Sequence, residues 1–519
     1  MICLWDDNRY WQELLRQEGV SFSTGSRLGG RAVVVLNREP GDLHTHRIWQ
    51  HVESGAGLLA AGSNAAAVWL ELRPAAKRLR WIAPGGDSPL FRNVGIVDAD
   101  TRGSLLPGAN TGFTDLGAKA ILVTPAGRGL CILLPFEVTR VLSSAASGPK
   151  QFPADAPRFP FETVARVSRG EVRRLAANCL RHLFSHRRLP YVHLAAVPGR
   201  ARSTFGFRVD TDFGPRRDLE TVVRLADRVG MKFSWYVNVG AHAAHLDLFA
   251  DLARQGHDIQ LHCQRHTVYP DYRRNLENLR QGKDAMASAG IKPVGVVAPF
   301  GEWNPNLNRA LEELGFEYSS EFCLAYDDLP FRPVVDGRLS KVLQVPVHPI
   351  CLGRLVAARA SAAQMVAYFR SVIDLQVARQ EPCFLYDHPE RIAQFSDVLA
   401  DVLQHGKERC GSTTTLTEFA RWWQRRERFA WSARVTDAGL EIQTRKSGDD
   451  LSVIAEQGCQ FSGLPATAGA YPLATLKWQP LPEPVRFDPR NLAAREPSLL
   501  LRARGLERRV RKNLQGHRG

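Results

Sequence analysis

Four short stretches of the chain gather the residue types of hydrolytic and metal chemistry. Phe207-Arg-Val-Asp210-Thr-Asp212-Phe-Gly214 sets two carboxylates at i, i+2 after an apolar run. A strand ending this way places both at its C-terminal mouth, where α/β sheets and barrels collect their active sites. His262-Cys-Gln-Arg-His266 spaces two imidazoles at i, i+4, so that on one helical turn both can reach a single metal. Phe384-Leu-Tyr-Asp387-His388 delivers a further histidine at the end of another apolar run, and Val297-Ala-Pro299-Phe300-Gly301 holds turn residues that can leave a backbone N–H pointing outward. Each has a plain structural reading as well. Asp-x-Asp builds turns and helix caps, and a lone histidine is usually structural.

The elements that must position these residues are legible from periodicity. Phe205–Val209 reads as a strand, 218–229 as a helix, 232–237 as a strand, 246–254 as a helix closed by Gly256, and 258–261 as a strand. Alternation of this kind predicts a barrel or doubly wound sheet. It runs to about Glu427, after a last helix over 416–423. Residues 1–150 show their own alternation of strands (2–5, 32–36, 58–61) and helices (9–18, 46–53), with a late hairpin over 120–135. Residues 151–202 read as a connector with one amphipathic helix over 172–183. Residues 429–490 lose the helical period and predict a small β-domain, with strands at 431–435, 440–444, 451–454 and 476–478. His257 reads as a turn residue, and His242 and His245, after Gly240, are expected to face solvent.

The order of the four stretches resembles the polysaccharide-deacetylase, or NodB-homology, family of carbohydrate esterases. That family runs through a strand-end Asp pair, Gly-His-Glu-Ile, His-x-x-x-His, an Arg-x-Pro-Tyr-Gly-like loop and a late strand-end His. This chain supplies Asp210 and Asp212, Gly256-His-Asp-Ile259, His262 and His266, Pro299-Phe300-Gly301 and His388 in that order, over about 203–427. The resemblance implies an α/β fold over 203–428, a NodB-like distorted (β/α) barrel; with the flanking patterns, the expected chain has a Rossmann-like α/β domain before it and the small β-domain after it.

The resemblance also implies roles. Asp212, His262 and His266 hold one divalent metal ion, with zinc expected for an imidazole and carboxylate donor set. Such an ion lowers the pKa of water toward about 7 and polarises the substrate carbonyl. Asp210 is the implied general base, the backbone N–H of Phe300 the oxyanion donor, and His388 the acid that protonates the leaving amine. Pro299, Gly301 and His348 are expected to line the substrate pocket. Two positions depart from the family. Its third-motif arginine, which braces the base, falls on Val297, with Arg208 or Arg265 as replacements. Its Asp-x-x-Asp-Trp motif has no counterpart beyond Tyr318-Ser-Ser-Glu321-Phe322 or Asp327-Asp328. A second resemblance, of His51-Val-Glu-Ser-Gly55-Ala-Gly57-Leu-Leu-Ala-Ala-Gly62 to glutamine-amidotransferase-like domains, lacks the Gly-x-Cys-x-Gly elbow and implies a non-catalytic binding or docking domain.

Composition sets the outer limits. At 519 residues the chain is too long for one core. No run approaches the roughly 18–20 apolar residues of a membrane span, the start does not read as a signal peptide, and the nine cysteines form no regular framework. A cytoplasmic location is expected. The net charge of +15 favours acidic partners. Residues 491–519 hold eight Arg or Lys against two Glu, with Leu499, Leu506, Val510 and Leu514 on one helical face. The expected partner is an acylated sugar or glycan, phosphate-bearing or lipid-linked, with peripheral contact between the basic tail and the anionic inner membrane face. No specific nucleic-acid binding is expected. The competing functions are hydrolysis of a non-sugar amide and an inactive glycan- or partner-binding homologue.

Overall fold

The computed structural model describes residues 1–25, 28, 33–37, 42–62, 65–199, 201–436 and 439–495. The helix expected over 499–514 lies outside the described residues. Among those described, no helix is long and apolar enough to cross a membrane, and all nine cysteines are free.

The chemistry-bearing stretches belong to one seven-stranded parallel sheet. Its spatial order is Leu343–Gln344, Tyr318–Ser319, Gly295–Val296, Asp258–Cys263, Ser234–Asn238, Phe205–Asp210 and Cys383–Asp387. The strand Phe205–Asp210 is buried at every position, as a parallel strand covered on both faces must be. Helices Arg216–Val229, Leu246–Arg254, Tyr272–Ser288 and Ala362–Arg379 cover the sheet, their apolar faces meeting Phe207, Phe233, Trp235 and Leu261 in one core. The first of these helices stops at Gly230, which takes the left-handed conformation at φ 62°. The sheet does not close through strand pairing. The two edges are instead bridged beyond the strands, where His348 N–H donates to the Phe384 carbonyl at 2.9 Å.

A second sheet of nine strands occupies the N-terminal part. Five strands run parallel: Phe22–Thr24, Ile2–Leu4, Val33–Leu36, Gly57–Ala61 and Gly129–Leu134. The other four, Lys119–Ala126, Thr111–Thr114, Ala75–Ala83 and Val97–Leu105, continue antiparallel. The alternation of strands and helices thus holds for only half of this sheet. The strand Ala75–Ala83 begins with four exposed residues and carries Lys77, Arg78 and Arg80, which masks its period. The helix Arg169–His186 packs Val172, Leu175, Cys179, Leu180 and Leu183 into the same core, so the expected connector is part of this layer.

Toward the C-terminus, Gly448–Gln457, Gln460–Ala466 and Gln479–Pro480 form a sheet with Tyr191–Leu194, which comes from the same connector. Trp431–Thr436, Gly439–Thr444 and Gly469–Tyr471 form a second small sheet. The strand expected over 476–478 does not form. Trp478 folds back, its Nε1 donating to the Leu473 carbonyl at 3.2 Å, between Pro472 and Pro480, neither of which can donate to a ladder.

Arg426 ties these parts together, with no carboxylate partner among the described residues. It is buried, and its N–H groups donate to the carbonyls of Ala195, Arg16, Gln17 and Leu194 at 2.7 to 3.2 Å. Gly19 makes the approach possible, because a Cβ there would lie 2.4 Å from Arg426 Nη2 and the backbone has φ +68°.

Candidate active site

Asp210 and Asp212 leave the end of their strand on opposite sides of Thr211. Asp212 adopts φ 41°, a conformation that a carboxylate side chain tolerates better than most. The turn is held by Asn238, whose Nδ2 donates to the Asp212 carbonyl at 2.9 Å and whose N–H donates to Thr211 Oγ1 at 3.0 Å. His242 packs against the backbone of Thr211 and Asp212 and is buried, not solvent-facing as expected. His257 is also a core group, its Nδ1 accepting from Phe233 N–H and Trp235 Nε1–H.

His262 and His266 do not share a helical turn. His262 is in the strand Asp258–Cys263, and His266 returns from the bend that follows. The two rings still converge, with centroids 5.0 Å apart, and both Nε2 atoms lie 3.1 Å from Asp212 Oδ1. His262 Nδ1 lies 2.6 Å from the Val297 carbonyl, which makes Nδ1–H the donor and leaves the Nε2 lone pair for the site. That Nε2 is buried and has no hydrogen bond of good geometry. Ligand atoms of Asp212, His262 and His266 all lie within 4.8 Å of one another. An orphaned imidazole nitrogen facing a carboxylate and a second imidazole fits a divalent cation well. Burial would raise the Asp212 carboxyl, but the imidazoles of His262, His266 and His388 hold it well below the usual carboxylate range.

Asp210 is clamped from its own strand. Arg208 Nε donates to Oδ1 at 2.7 Å and Nη2 to Oδ2 at 2.6 Å. Period-two alternation brings the pair to one face of the strand. Arg208 is 0% exposed; its Nη1 donates to the Ser320 carbonyl and Oγ, and its guanidinium lies 4.8 Å from the Tyr386 ring. Of the two replacements weighed for the arginine absent at Val297, it is Arg208 that braces Asp210. Arg265 lies on the bend below, with its N–H bonded to Asn278.

A pocket of about 620 Å³ opens over these groups, lined by Asp210, Asp212, His262, His266, His388, Phe300, Gly301 and Phe322 among others. Phe300 takes φ 60° and is 49% exposed, 4.9 Å from the His266 ring. Gly301, at φ 61°, passes over Phe322 so closely that a Cβ would meet its ring at 2.5 Å. Phe322 thus furnishes an aromatic wall, whereas Asp328 turns away to bond Gln17 and Arg173. His388 Nε2 lies 3.6 Å from Asp212 Oδ2. Burial would lower this imidazole, but Cys351 and the carboxylates of Asp212 and Asp387 raise it to about 10. Burial pushes Asp387 up to about 6, with its oxygens accepting the N–H groups of Leu352 and His388.

Two residues expected in the pocket do not line it. Pro299 is buried beneath its loop. His348 turns its ring toward Tyr368, with Nε2 3.0 Å from the phenol oxygen, and toward Phe152; burial lowers it to about 3. Its backbone bond to Phe384 fixes that direction. Conversely, Glu162, Cys351 and Arg354 line the pocket and carried no motif signal, and Arg391, three residues beyond His388, lines it too. Glu162 is delivered by the strand Phe161–Ala165, whose residues do not alternate apolar with polar.

Residues 210–319 match the family model described as polysaccharide deacetylase. No curated protein matches the chain. Solved structures described as polysaccharide deacetylases from Mycobacterium smegmatis and Pseudomonas aeruginosa are 19% and 18% identical, with TM-scores of 0.38 each. They align with 45% and 43% of this chain and with 95% and 92% of their own. A Puue allantoinase structure is 18% identical, covering 44% of this chain and 92% of its own at a TM-score of 0.37. The parallel sheet, the motif order along it and the matched segment lead to one assignment: the chain carries a polysaccharide-deacetylase (NodB-homology) domain.

Proposed function

We propose that the chain is a metal-dependent hydrolase that removes an N-acetyl or similar small acyl group from a sugar of a glycan or cell-envelope polysaccharide. The observation that supports this most is the convergence of Asp210, Asp212, His262, His266 and His388 on one pocket, with the base already clamped. A divalent ion, zinc by its donor set, held by Asp212, His262 and His266 would supply polarisation of the acyl carbonyl and acidification of water.

The remaining chemistry falls to the chain. Asp210 takes a proton from the water that adds to the acyl carbon, and the Arg208 clamp keeps its carboxylate oriented for that transfer. The backbone at Phe300 is assigned the oxyanion contact. His388 donates a proton to the amide nitrogen as the C–N bond breaks, so that a carboxylic acid and a free amine leave. The Arg208 clamp also weighs against an inactive homologue, a reading that drew on the missing arginine at Val297. Acetate release from N-acetylated oligosaccharides, with metal content measured on the same preparation, tests the proposal. Release that persists unchanged after complete removal of metal refutes the metal role. Carbamoyl or formyl products released in place of acetate would move the assignment to a non-sugar amide.

A further inference from the structure

Arg354 takes no part in the reaction above, yet it stands on the wall of the same pocket. It belongs to the short helix Leu352–Ala357, one residue beyond Gly353. Its Nε donates to Glu162 Oε2 at 2.6 Å. Glu162 is almost wholly buried, whereas the Arg354 side chain is 34% exposed. The carboxylate therefore grips the guanidinium from its inner edge. The two outer nitrogens, Nη1 and Nη2, have no hydrogen-bond partner among the described residues. A second guanidinium flanks the first: Arg391 lines the pocket, and its Cγ and Nε each lie 3.9 Å from where a Gly353 Cβ would stand. Arg391 donates through Nη1 to Gln394 at 2.6 Å. Of the carboxylates on the pocket wall, Asp210 is engaged by Arg208, Glu162 by Arg354 and Asp212 by His262 and His266, which leaves Glu390, next to Arg391 in the chain.

A guanidinium fixed through its Nε on the wall of a cleft, with its outer nitrogens unbonded among the described residues, is suited to recognise a carboxylate or a phosphate in bidentate fashion. We propose that Arg354, oriented by Glu162 and assisted by Arg391, binds an anionic group of the substrate, carried on the sugar beside the acylated amine. The inference rests on the sugar-deacetylase reading and deepens it to an acidic sugar. All three residues lie outside the matched span 210–319, so substrate preference is set by segments that surround the reaction centre.

The test separates binding from turnover. The full-length protein is titrated calorimetrically with three free-amine oligosaccharides of equal length: one neutral, one bearing a carboxylate, one bearing a phosphate monoester. Wild type is expected to bind one or both acidic sugars about 10- to 100-fold more tightly than the neutral one, the range for charge-assisted hydrogen bonds. The stronger of the two identifies the anion. Arg354→Ala should remove most of that preference, Arg354→Lys should keep part of it, and Glu162→Gln should weaken it less than Arg354→Ala. Equal binding of all three sugars by wild type, or a preference that survives Arg354→Ala, overturns the inference. Acetate release from the corresponding N-acetylated sugars is measured in parallel. Failure there, with the binding preference intact, counts against the deacetylase reading and not against the anion site.

Discussion

The bond between Arg208 and Asp210 can be taken apart by a double-mutant cycle. Arg208→Met preserves much of the side-chain volume between Tyr386 and Tyr236 but removes two charge-assisted hydrogen bonds of 2.6 and 2.7 Å. It leaves the carboxylate of Asp210 buried without its partner. Hydrogen bonds to charged groups contribute about 1.5–3 kcal/mol each, and breaking a buried pair from one side costs about 3–5 kcal/mol. The two estimates agree, so Arg208→Met is expected to destabilise the domain by about 3–5 kcal/mol. Asp210→Asn removes the opposite charge and strands the guanidinium. The double variant Arg208→Met/Asp210→Asn holds neither charge, and should therefore be more stable than the sum of the single losses by about 2–3 kcal/mol. Equilibrium urea unfolding of the four proteins measures the coupling, and turnover of Arg208→Met and Arg208→Lys reports positioning. Lys restores a charge but not the fork, so it should recover stability better than it recovers kcat. A cost below about 1 kcal/mol for Arg208→Met, the level of a surface ion pair, with no coupling in the cycle, refutes the reasoning.

Other consequences can be checked directly. His262→Ala and His266→Ala should each abolish tight metal retention, and a double variant that still carries one ion per chain would sink the ligand assignment. Asp210→Asn and His388→Ala should keep the metal, with Asp210→Asn losing about 100- to 10,000-fold in turnover; a loss below tenfold points to another base. Glu13, on the helix Arg9–Gln17, accepts the Arg332 N–H at 2.6 Å, and burial with Glu427 nearby raises its carboxyl to about 7. A raised carboxyl contributes stability that is full below the unfolded value and disappears as pH rises through the folded one. Wild type should therefore lose up to about 3 kcal/mol between pH 4.5 and 7 from this group, and Glu13→Gln should flatten that part of the profile in urea unfolding.

Much of the site was legible because strand ends advertise themselves. An apolar run that stops at a charged or imidazole residue is a parallel strand reaching its C-terminal mouth, and Asp210, His262 and His388 all sit at or just beyond such ends. What spacing could not convey was direction. An i, i+4 histidine pair fits one helical turn, yet here a strand and a returning bend bring the rings together, so the helical reading of 262–266 was mistaken while the convergence was right. Arg208 was legible as a residue but not as a brace, since a buried arginine within an apolar strand has meaning only once its partner's position is known. His348 ends an apolar segment as Asp210 and His388 do, but its backbone bonds to the opposite sheet edge and its ring turns to Tyr368, away from the pocket. Glu162 and Arg354 meet from segments separated by 192 positions, a proximity no local period encodes. The antiparallel half of the first sheet was lost for a different reason. Its solvent-facing positions carry long basic side chains, which erase the contrast on which period-two patterns depend.

Arg426 bears on how such a chain can be divided. It lies near the end of the stretch that resembles a self-contained deacetylase, yet its guanidinium is solvated by carbonyl groups from residues 16–17 and 194–195. Excision at the apparent boundaries would strip a cation of the dipoles that replace water around it and would open the seam beside Trp423, over whose ring it lies at 4.4 Å. The N-terminal layer is thus not a passenger that could be cut away while sparing the parallel sheet and its pocket. Loss or replacement of that layer would leave Arg426 buried without these acceptors, so it would call for an accompanying change at position 426.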